Sequence, residues 1–197
     1  MIDEIKRNLT TMEYVILGLL SAAPQTGYAL ISTMEMTDGR WSASSGSIYP
    51  ALKRLERQGV IEGHVEAVYT TRPRKVYRIT ALGDALLDSW VKTTQGVDLN
   101  DREIPLIKFL FAEQRMSRDE VLQWLDNYEQ CMDAYEFAHE AWQNAQFTVS
   151  SVHQQLLVQA TVMEWKMQRE WIRVARERLL AEKAAPTTAH LPERLAS

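Results

Sequence analysis

Small hydroxyl side chains and basic side chains follow one another in the segment 41–59. Ser44, Ser45 and Ser47 come first, and a tyrosine and three basic residues come after them, namely Tyr49, Lys53, Arg54 and Arg57. If the segment is helical, the serines stand at the helix start, where free backbone N–H groups and the helix dipole favour a phosphate. These residue types therefore predict a surface that can bind a polyanion.

The same segment has a second, apolar face when it is placed on a helix. At about 100° per residue, one side carries Ile48, Ala51, Leu52 and Leu55, and the other side carries Tyr49, Pro50, Lys53 and Arg57. The first set must pack, whereas the second set is free to contact a partner. We therefore expect a helix over residues 47–58 that lies on DNA; an ordinary amphipathic surface helix with a basic rim is the alternative.

Elements that can hold such a helix flank it on both sides. Apolar residues at helical spacing predict a buried helix over residues 11–21, a turn over 22–27 and a second short helix over 28–36. After the segment, alternating apolar residues predict the two strands of a hairpin, over 61–69 and from Lys75 onward, with Arg72 and Arg74 at its tip. This order is that of a winged helix-turn-helix, in which the third helix enters the major groove and the hairpin is the wing.

The motifs in this part of the chain resemble those of the PadR-type transcriptional regulators. The matching sequences are LGLL at 17–20, GYAL at 27–30, SSGSIYPALKRLERQGVI from Ser44 and RPRKVYRITALG at 72–83. The resemblance covers about the first 85 residues. One departure lies at the wing tip, where Thr71-Arg72-Pro73-Arg74 stands in place of the Gly-Arg-x-Arg of many members.

The resemblance implies a set of DNA contacts. In the family, the equivalents of Tyr28 and Tyr49 touch the DNA backbone, and the basic residues of the wing reach the minor groove. We expect Tyr49 and Lys53 to anchor phosphates, with Ser45, Ser47 and Pro50 nearest the base edges. The predicted DNA-binding residues are Gly27, Tyr28, Ser45, Ser47, Tyr49, Pro50, Lys53, Arg72, Arg74 and Lys75.

Charge is distributed unevenly along the chain. Between residues 40 and 83, eight basic residues stand against three acidic ones, a net charge of +5, whereas from residue 84 onward 12 basic and 18 acidic residues give −6. The overall charge of −4 therefore averages two unlike parts. Because each copy offers few basic contacts, two copies on a two-fold-related site are the expected arrangement.

The second half of the chain carries two apolar stripes at helical spacing. A capping box, Ser117-x-x-Glu120, precedes the first stripe over residues 121–142, and the second stripe covers 156–174. Two long helices joined near 146–150 form an antiparallel hairpin, whose stripes either close on each other or pack on a second copy of the chain. This half resembles the C-terminal helical domain of the PadR subfamily related to the virulence-gene activator alpha proteins, which implies dimerisation. The predicted dimerisation residues are Leu125, Tyr128, Met132, Tyr135, Trp142, Met163, Met167 and Trp171.

The expected fold class is mainly α with a small β-hairpin wing. It consists of an N-terminal winged helix-turn-helix DNA-binding domain over residues 1–85 and a C-terminal long-helix dimerisation domain over 86–183, with a disordered tail over 184–197. Shorter helices are expected over 80–95 and 102–113. The sequence has no signal peptide and no long apolar run, which predicts a soluble cytoplasmic protein without a membrane partner.

The sequence carries no recognised pattern for catalysis, a cofactor or a metal. The four histidines lie far apart, and His139 falls on the apolar stripe, where a core or interface residue is the simpler interpretation. Glycine patterns of the GxGxxG and P-loop types are absent. The single Cys131 excludes an intramolecular disulfide, and its place beside Met132 favours a core role over a nucleophile. We therefore predict a protein that is not an enzyme and holds no cofactor.

Aromatic residues add a hypothesis about regulation. Six tryptophans are present, five of them in the helical part, and PadR-type regulators often release DNA on binding phenolic or other aromatic compounds. Aromatic residues at helical spacing also build cores. The predicted function is a homodimeric repressor that binds a pseudo-palindromic operator in double-stranded DNA and is released by a small aromatic or phenolic effector. The alternative is a winged-helix protein-interaction module that does not bind DNA.

Overall fold

The computed structural model describes residues 9–35, 44–66, 73–94, 101, 103–146 and 151–182, with side chains described for all of them but 35 and 138–146. Within these residues the chain is mainly helical, with one small antiparallel sheet, which confirms the predicted fold class. It falls into two compact units, Met1–Met116 and Ser117–Ser197. The elements in chain order are α1 (Thr11–Ala22), β1 (Gln25–Thr26), α2 (Gly27–Glu35), α3 (Ser45–Arg57), β2 (Ile61–Glu66), β3 (Arg74–Ile79), α4 (Ala81–Lys92), α5 (Glu103–Ala112), α6 (Arg118–Gln146) and α7 (Val152–Ala181).

Helix α1 is the central element of the N-terminal unit. It begins at a capping box, in which the Glu13 backbone N–H donates to Thr10 Oγ1 (3.3 Å) and the Thr10 backbone N–H donates to Glu13 Oε2 (2.9 Å). Most of its apolar side chains are buried, and β3, α4 and α5 all pack against it. The helix ends at Ala22, two residues before Pro24, because a helix rarely continues into a proline.

The sheet of the N-terminal unit has three antiparallel strands in the order β1-β3-β2. Strand β1 is only two residues long and pairs with β3 through Gln25 opposite Tyr77 and Thr26 opposite Val76. The sequence predicted only a turn over residues 22–27, since two residues are too few for an alternating pattern. This short strand ties the start of α2 to the base of the hairpin.

A tight turn joins α3 directly to the hairpin. Gly59 adopts a positive φ of 72°, the left-handed conformation that ends many helices. Its N–H donates to the carbonyl of Glu56 (3.0 Å), and the N–H of Val60 donates to that of Leu55 (3.1 Å). Strand β2 then pairs with β3 from Ile61 opposite Ile79 to Glu66 opposite Arg74. The predicted extension of the strand to residue 69 and the tip at residues 70–72 lie outside the described residues.

Helices α4 and α5 complete the core of the N-terminal unit. The Tyr14 ring of α1 stacks on Trp90 of α4 with 4.4 Å between ring centroids. Lys108 of α5 is buried, donates from Nζ to the Thr93 carbonyl (2.7 Å) and lies 5.1 Å from the Trp90 ring centroid. Helices α4 and α5 therefore belong to the same compact unit as α1, which extends to Met116. The domain division predicted at 85/86 stays a prediction.

The C-terminal unit consists of the antiparallel pair α6 and α7. The predicted capping box is formed, with Ser117 N–H donating to Glu120 Oε2 (2.7 Å) and Glu120 N–H donating to Ser117 Oγ (3.3 Å). Tyr128 donates to Gln168 Oε1 (3.1 Å) in the buried seam. Ion pairs border the seam, where Arg169 binds Asp133 and Glu136, and Arg176 binds Asp126 and Glu129.

Two sequence expectations lie outside the described residues of this unit, the connection at residues 147–150 and the tail over 184–197. Among the helices that the structure describes, none is long and apolar enough to span a bilayer.

Candidate nucleic-acid interface

Helix α3 has one buried face and one exposed face, divided as the sequence predicts. Ile48, Leu52 and Leu55 are fully buried, and Ala51 is nearly so. Tyr49, Pro50, Lys53 and Arg57 are exposed on the opposite side. The helix therefore uses its apolar residues for packing and presents a tyrosine hydroxyl and two cations outward.

The first turn of α3 carries exposed serines and a backbone carbonyl that lacks its helical hydrogen bond. Ser44 is the N-cap residue, yet its side chain makes no capping hydrogen bond. Ser47 donates from Oγ to the Ser44 carbonyl (2.9 Å), and Ser45 is exposed. Pro50 has no N–H, so the Gly46 carbonyl does not receive the helical hydrogen bond that residue 50 would otherwise donate. This turn has backbone and hydroxyl groups available to a ligand.

Gly27 and Tyr49 are brought together although they lie on different helices. A methyl group at Gly27 would lie 2.7 Å from Tyr49 Cε1 and 3.3 Å from Leu52 Cδ1. The absence of a side chain at Gly27 therefore allows the Tyr49 ring to lie against the first turn of α2. The next residue, Tyr28, is 77% exposed. Both helices that meet at Gly27 therefore carry an exposed tyrosine, Tyr28 on α2 and Tyr49 on α3.

The base of the wing is attached to α3 by an ion pair. Lys75 Nζ of β3 lies 2.7 Å from Glu56 Oε2 of α3, and this hydrogen bond raises the pKa of Lys75. Lys75 also lies over the Tyr77 ring, whose pKa burial raises. A methyl group at Gly63 would overlap the Lys75 side chain and meet Glu56 Oε1 at 2.8 Å. Gly63 therefore makes room for the pair.

The structure describes one of the two outer basic residues of the wing, Arg74. Arg74 is exposed, and its Nε lies 3.5 Å from Glu66 Oε2 on the neighbouring strand. The predicted contact Arg72 lies outside the described residues. Of the three predicted wing contacts, the two that are described each face a glutamate of the same unit.

An ion pair that sequence reasoning missed joins α3 to α1, between the buried carboxylate of Glu13 and the Arg54 side chain, which is 41% exposed. Arg54 of α3 contacts the Glu13 carboxylate with two nitrogens, Nε to Oε1 at 2.6 Å and NH2 to Oε2 at 2.6 Å. These hydrogen bonds raise the pKa of the Arg54 guanidinium. The Thr10-x-x-Glu13 pattern in the sequence is typical of a helix cap. The proximity of Glu13 to Arg54, in contrast, depends on how the two helices pack.

Lys53 and Arg57 differ from Arg54 in their surroundings. Both are exposed, and neither forms an ion pair with another residue that the structure describes. They lie on the face of α3 that also carries Tyr49, since residues four apart share a helix face. Among the basic residues of α3, these two are the cations that no described carboxylate binds, whereas Arg54 is bound by Glu13.

The chain matches a known protein family over this unit. Residues 16–89 match the model of the transcriptional regulator PadR-like family. Residues 16–89 are therefore similar to this family, and the segment is termed the PadR-like domain. The match extends from α1 to α4 and includes every predicted DNA-binding residue.

Individual relatives of the PadR-like domain come from several bacteria. The chain is 30% identical over 104 residues to the negative transcriptional regulator PadR of Bacillus subtilis, an alignment that covers 52% of this chain and 57% of that protein. The crystal structure of Bacillus subtilis PadR in complex with operator DNA is similar with a TM-score of 0.44 and 23% identity, and covers 86% of this chain and 99% of that chain. A PadR family regulator from Eggerthella lenta has a TM-score of 0.36 and 30% identity, and covers 44% of this chain and 71% of that chain. The matched family is one of transcriptional regulators and not of enzymes, as the sequence predicted.

The predicted dimerisation residues, which lie outside the PadR-like domain, fall into two groups. Leu125, Tyr128 and Met132 of α6 are buried within the single chain, whereas Met163 and Met167 of α7 are exposed. Tyr135 is 38% exposed and packs edge-on against Trp165, Trp171 is half-buried, and the Trp142 side chain is outside the described part. The α6 stripe therefore packs inside the chain, and the α7 stripe faces outward.

Helix α7 uses a different face for packing than the predicted stripe. Its buried residues are Trp165, Gln168, Ile172 and Ala175. At about 100° per residue, this face is centred about 140° from the stripe of Leu156, Met163 and Met167. The exposed apolar stripe is thus additional to the face that closes the helical pair.

Proposed function

We propose that the chain is a sequence-specific DNA-binding transcriptional regulator that acts as a repressor. The observation that carries this proposal is the exposed face of α3, where Tyr49, Lys53 and Arg57 stand opposite a fully packed apolar face within a PadR-like domain. A helix held in this way fits the major groove, with its first residues nearest the bases. The relative from Bacillus subtilis is named a negative transcriptional regulator, which supports repression.

Each predicted contact has a distinct role in the proposed complex. Tyr28, Tyr49 and Lys53 bind phosphates, and Ser45, Ser47 and Pro50 lie nearest the base edges. Gly27 acts through Tyr49, whose ring rests against it. Arg72, Arg74 and Lys75 of the wing contact the neighbouring backbone or minor groove, and Lys75 and Arg74 exchange Glu56 and Glu66 for DNA phosphates when they bind.

Two copies of the chain bind one operator in this proposal. The exposed apolar residues of α7, Leu156, Met163 and Met167, support a dimer because a second copy would remove them from water. Tyr135, Trp142 and Trp171 are assigned to the edge of the same interface. A two-fold dimer presents two α3 helices to successive major grooves, and therefore predicts a pseudo-palindromic operator.

A gel-shift titration separates this function from that of a protein-interaction module. Duplex DNA from the region upstream of the chain's own gene is compared with a scrambled duplex of the same composition at several salt concentrations. We expect the upstream DNA to bind more tightly, with an affinity that falls as salt rises. Equal binding of both duplexes, or none at low salt, would favour the protein-interaction module.

We also propose that a small aromatic or phenolic effector releases the repressor from DNA. Tryptophans are suited to report such binding, since Trp90 and Trp171 are half-buried and sensitive to their surroundings. Titration with a panel of aromatic acids should change tryptophan fluorescence, and the responding compound should dissociate the DNA complex. A panel that changes neither signal would argue against an aromatic effector.

A further inference from the structure

We propose that Arg54 is a positioning residue of the DNA-binding helix and does not itself contact DNA. Together with the buried Glu13, it fixes the rotation of α3 against α1, so that Tyr49 and Lys53 face outward. The inference rests on the proposed DNA-binding function and assigns a role within it. The sequence alone would favour a DNA contact for Arg54, because it is basic and lies next to Lys53 of the predicted interface. The inference gives it a different role.

Glu13 links two structural features through one carboxylate. It is fully buried, with 0% of its surface exposed. Its Oε2 accepts hydrogen bonds from the Thr10 N–H (2.9 Å) and the Thr10 hydroxyl (3.2 Å), which cap α1. Both of its oxygens are also bound by Arg54. The start of α1 and the middle of α3 are therefore held at a single point.

The geometry of the pair restrains rotation more strongly than the apolar contacts do. Ile48, Leu52 and Leu55 bury α3 through contacts that have little directional preference. The planar guanidinium of Arg54 binds the carboxylate with two parallel hydrogen bonds, which are satisfied over a narrow range of angles. A rotation of α3 about its axis therefore breaks these two hydrogen bonds before it exposes the apolar face.

The Arg54 side chain is 41% exposed, but it cannot leave Glu13 for a phosphate without cost. If it left Glu13, a carboxylate would remain buried without its cation, which is strongly unfavourable. Lys53 and Arg57 form no ion pair with a described residue and lie on the exposed face. The chain therefore divides neighbouring basic residues between two tasks, Lys53 for the ligand and Arg54 for the position of the helix.

The test compares the salt dependence and the specificity of DNA binding in matched variants. Arg54→Met alone leaves Glu13 unpaired and can prevent folding, so the informative variant is Glu13→Gln/Arg54→Met. Glutamine at this position keeps the capping box, and the double substitution leaves no buried charge. Lys53→Met is the control at the adjacent residue, and Arg54→Lys keeps the charge while removing the two-pronged geometry. Binding to upstream and scrambled duplexes is measured below the unfolding temperature of each variant.

The expected results differ for a contact and for a positioning residue. Lys53→Met should weaken both duplexes and reduce the slope of log affinity against log salt by about 0.9 for each lost phosphate contact. Glu13→Gln/Arg54→Met should keep the wild-type slope and lower the ratio of specific to non-specific affinity on the order of tenfold, a difference of about 1.4 kcal/mol. Arg54→Lys should recover part of that ratio.

Two results would overturn the role of Arg54. A reduced salt slope in the double variant, equal to that of Lys53→Met, would make Arg54 a phosphate contact. A lower melting temperature with an unchanged specificity ratio would make the pair merely stabilising. Wild-type protein that does not distinguish the two duplexes would instead contradict the proposed function itself, so the two failures are separable.

Discussion

At the scale of single residues, the candidate interface depends on what each side chain is already bound to. Tyr49 is 49% exposed, with its ring seated on Gly27, so its hydroxyl is presented at a fixed place. Lys53 and Arg57 are exposed, whereas Arg54 and Lys75 are held by Glu13 and Glu56. Residues of similar chemistry are therefore expected to give different results on substitution.

The Tyr49→Phe substitution tests the phosphate-binding role of a hydroxyl. Loss of one hydrogen bond to a charged oxygen should weaken operator binding by about 1–3 kcal/mol. The melting temperature should not change, because the ring still packs on Gly27. Tyr14→Phe, which removes a hydroxyl from a buried ring of the same unit, is the control. An unchanged dissociation constant for Tyr49→Phe would remove Tyr49 from the interface.

Tyr14 gives a prediction about pH. Burial raises its pKa to about 12, with a smaller contribution from Glu13. A phenol with a raised pKa in the folded state contributes stability that is fully present below pH 10 and is lost as the pH rises towards 12, on the order of 2 kcal/mol. The free energy of unfolding of the wild type should therefore fall more steeply than that of Tyr14→Phe between pH 10 and 12. Parallel curves would show that Tyr14 ionises as readily in the folded chain as in the unfolded chain.

At the scale of elements, periodicity predicted most of the architecture. The helices over Thr11–Ala22 and Ser45–Arg57 and the capping box at Ser117 follow from local patterns, because apolar spacing and helix caps are properties of adjacent residues. The two-residue strand β1 and the Glu13–Arg54 pair did not follow, since each depends on residues distant in sequence. The packing of α4 and α5 on α1 likewise depends on residues distant in sequence.

The two stripes of the long helices show a further limit of periodicity. Spacing identified apolar stripes on α6 and α7 but not their partners. The α6 stripe packs within the chain, whereas α7 packs through Trp165, Gln168, Ile172 and Ala175 and leaves Met163 and Met167 exposed. Because α7 carries apolar residues on two faces, only the packed structure shows which face remains available.

The exposed stripe of α7 leads to a prediction for dimerisation. Met163→Glu/Met167→Glu places two carboxylates on the proposed interface and should shift the protein to monomer in sedimentation experiments, with a corresponding loss of operator affinity. Lys166→Glu, an exposed position about 80° round the helix from the centre of the stripe, is the control and should remain dimeric. A double variant that sediments like the wild type would place the dimer interface elsewhere.

At the scale of the whole molecule, charge and duplication act together. The segment from residue 40 to 83 carries a net charge of +5, and the part from residue 84 onward carries −6, so the proposed attraction to DNA is assigned to the basic segment, which lies within the PadR-like domain. One such domain offers few exposed cations. Specific binding is therefore expected from a dimer whose two α3 helices reach half-sites about one helical turn apart, roughly 34 Å.

Selection of bound sequences from a random duplex library tests this account most directly, because it assumes no operator. The full chain is incubated with the library at moderate salt, and bound DNA is amplified and sequenced over several rounds. The account predicts enrichment of a two-fold-symmetric sequence with half-sites about one turn apart, and loss of that enrichment in Met163→Glu/Met167→Glu. A wild-type selection that enriches no sequence would contradict the claim that α3 reads DNA.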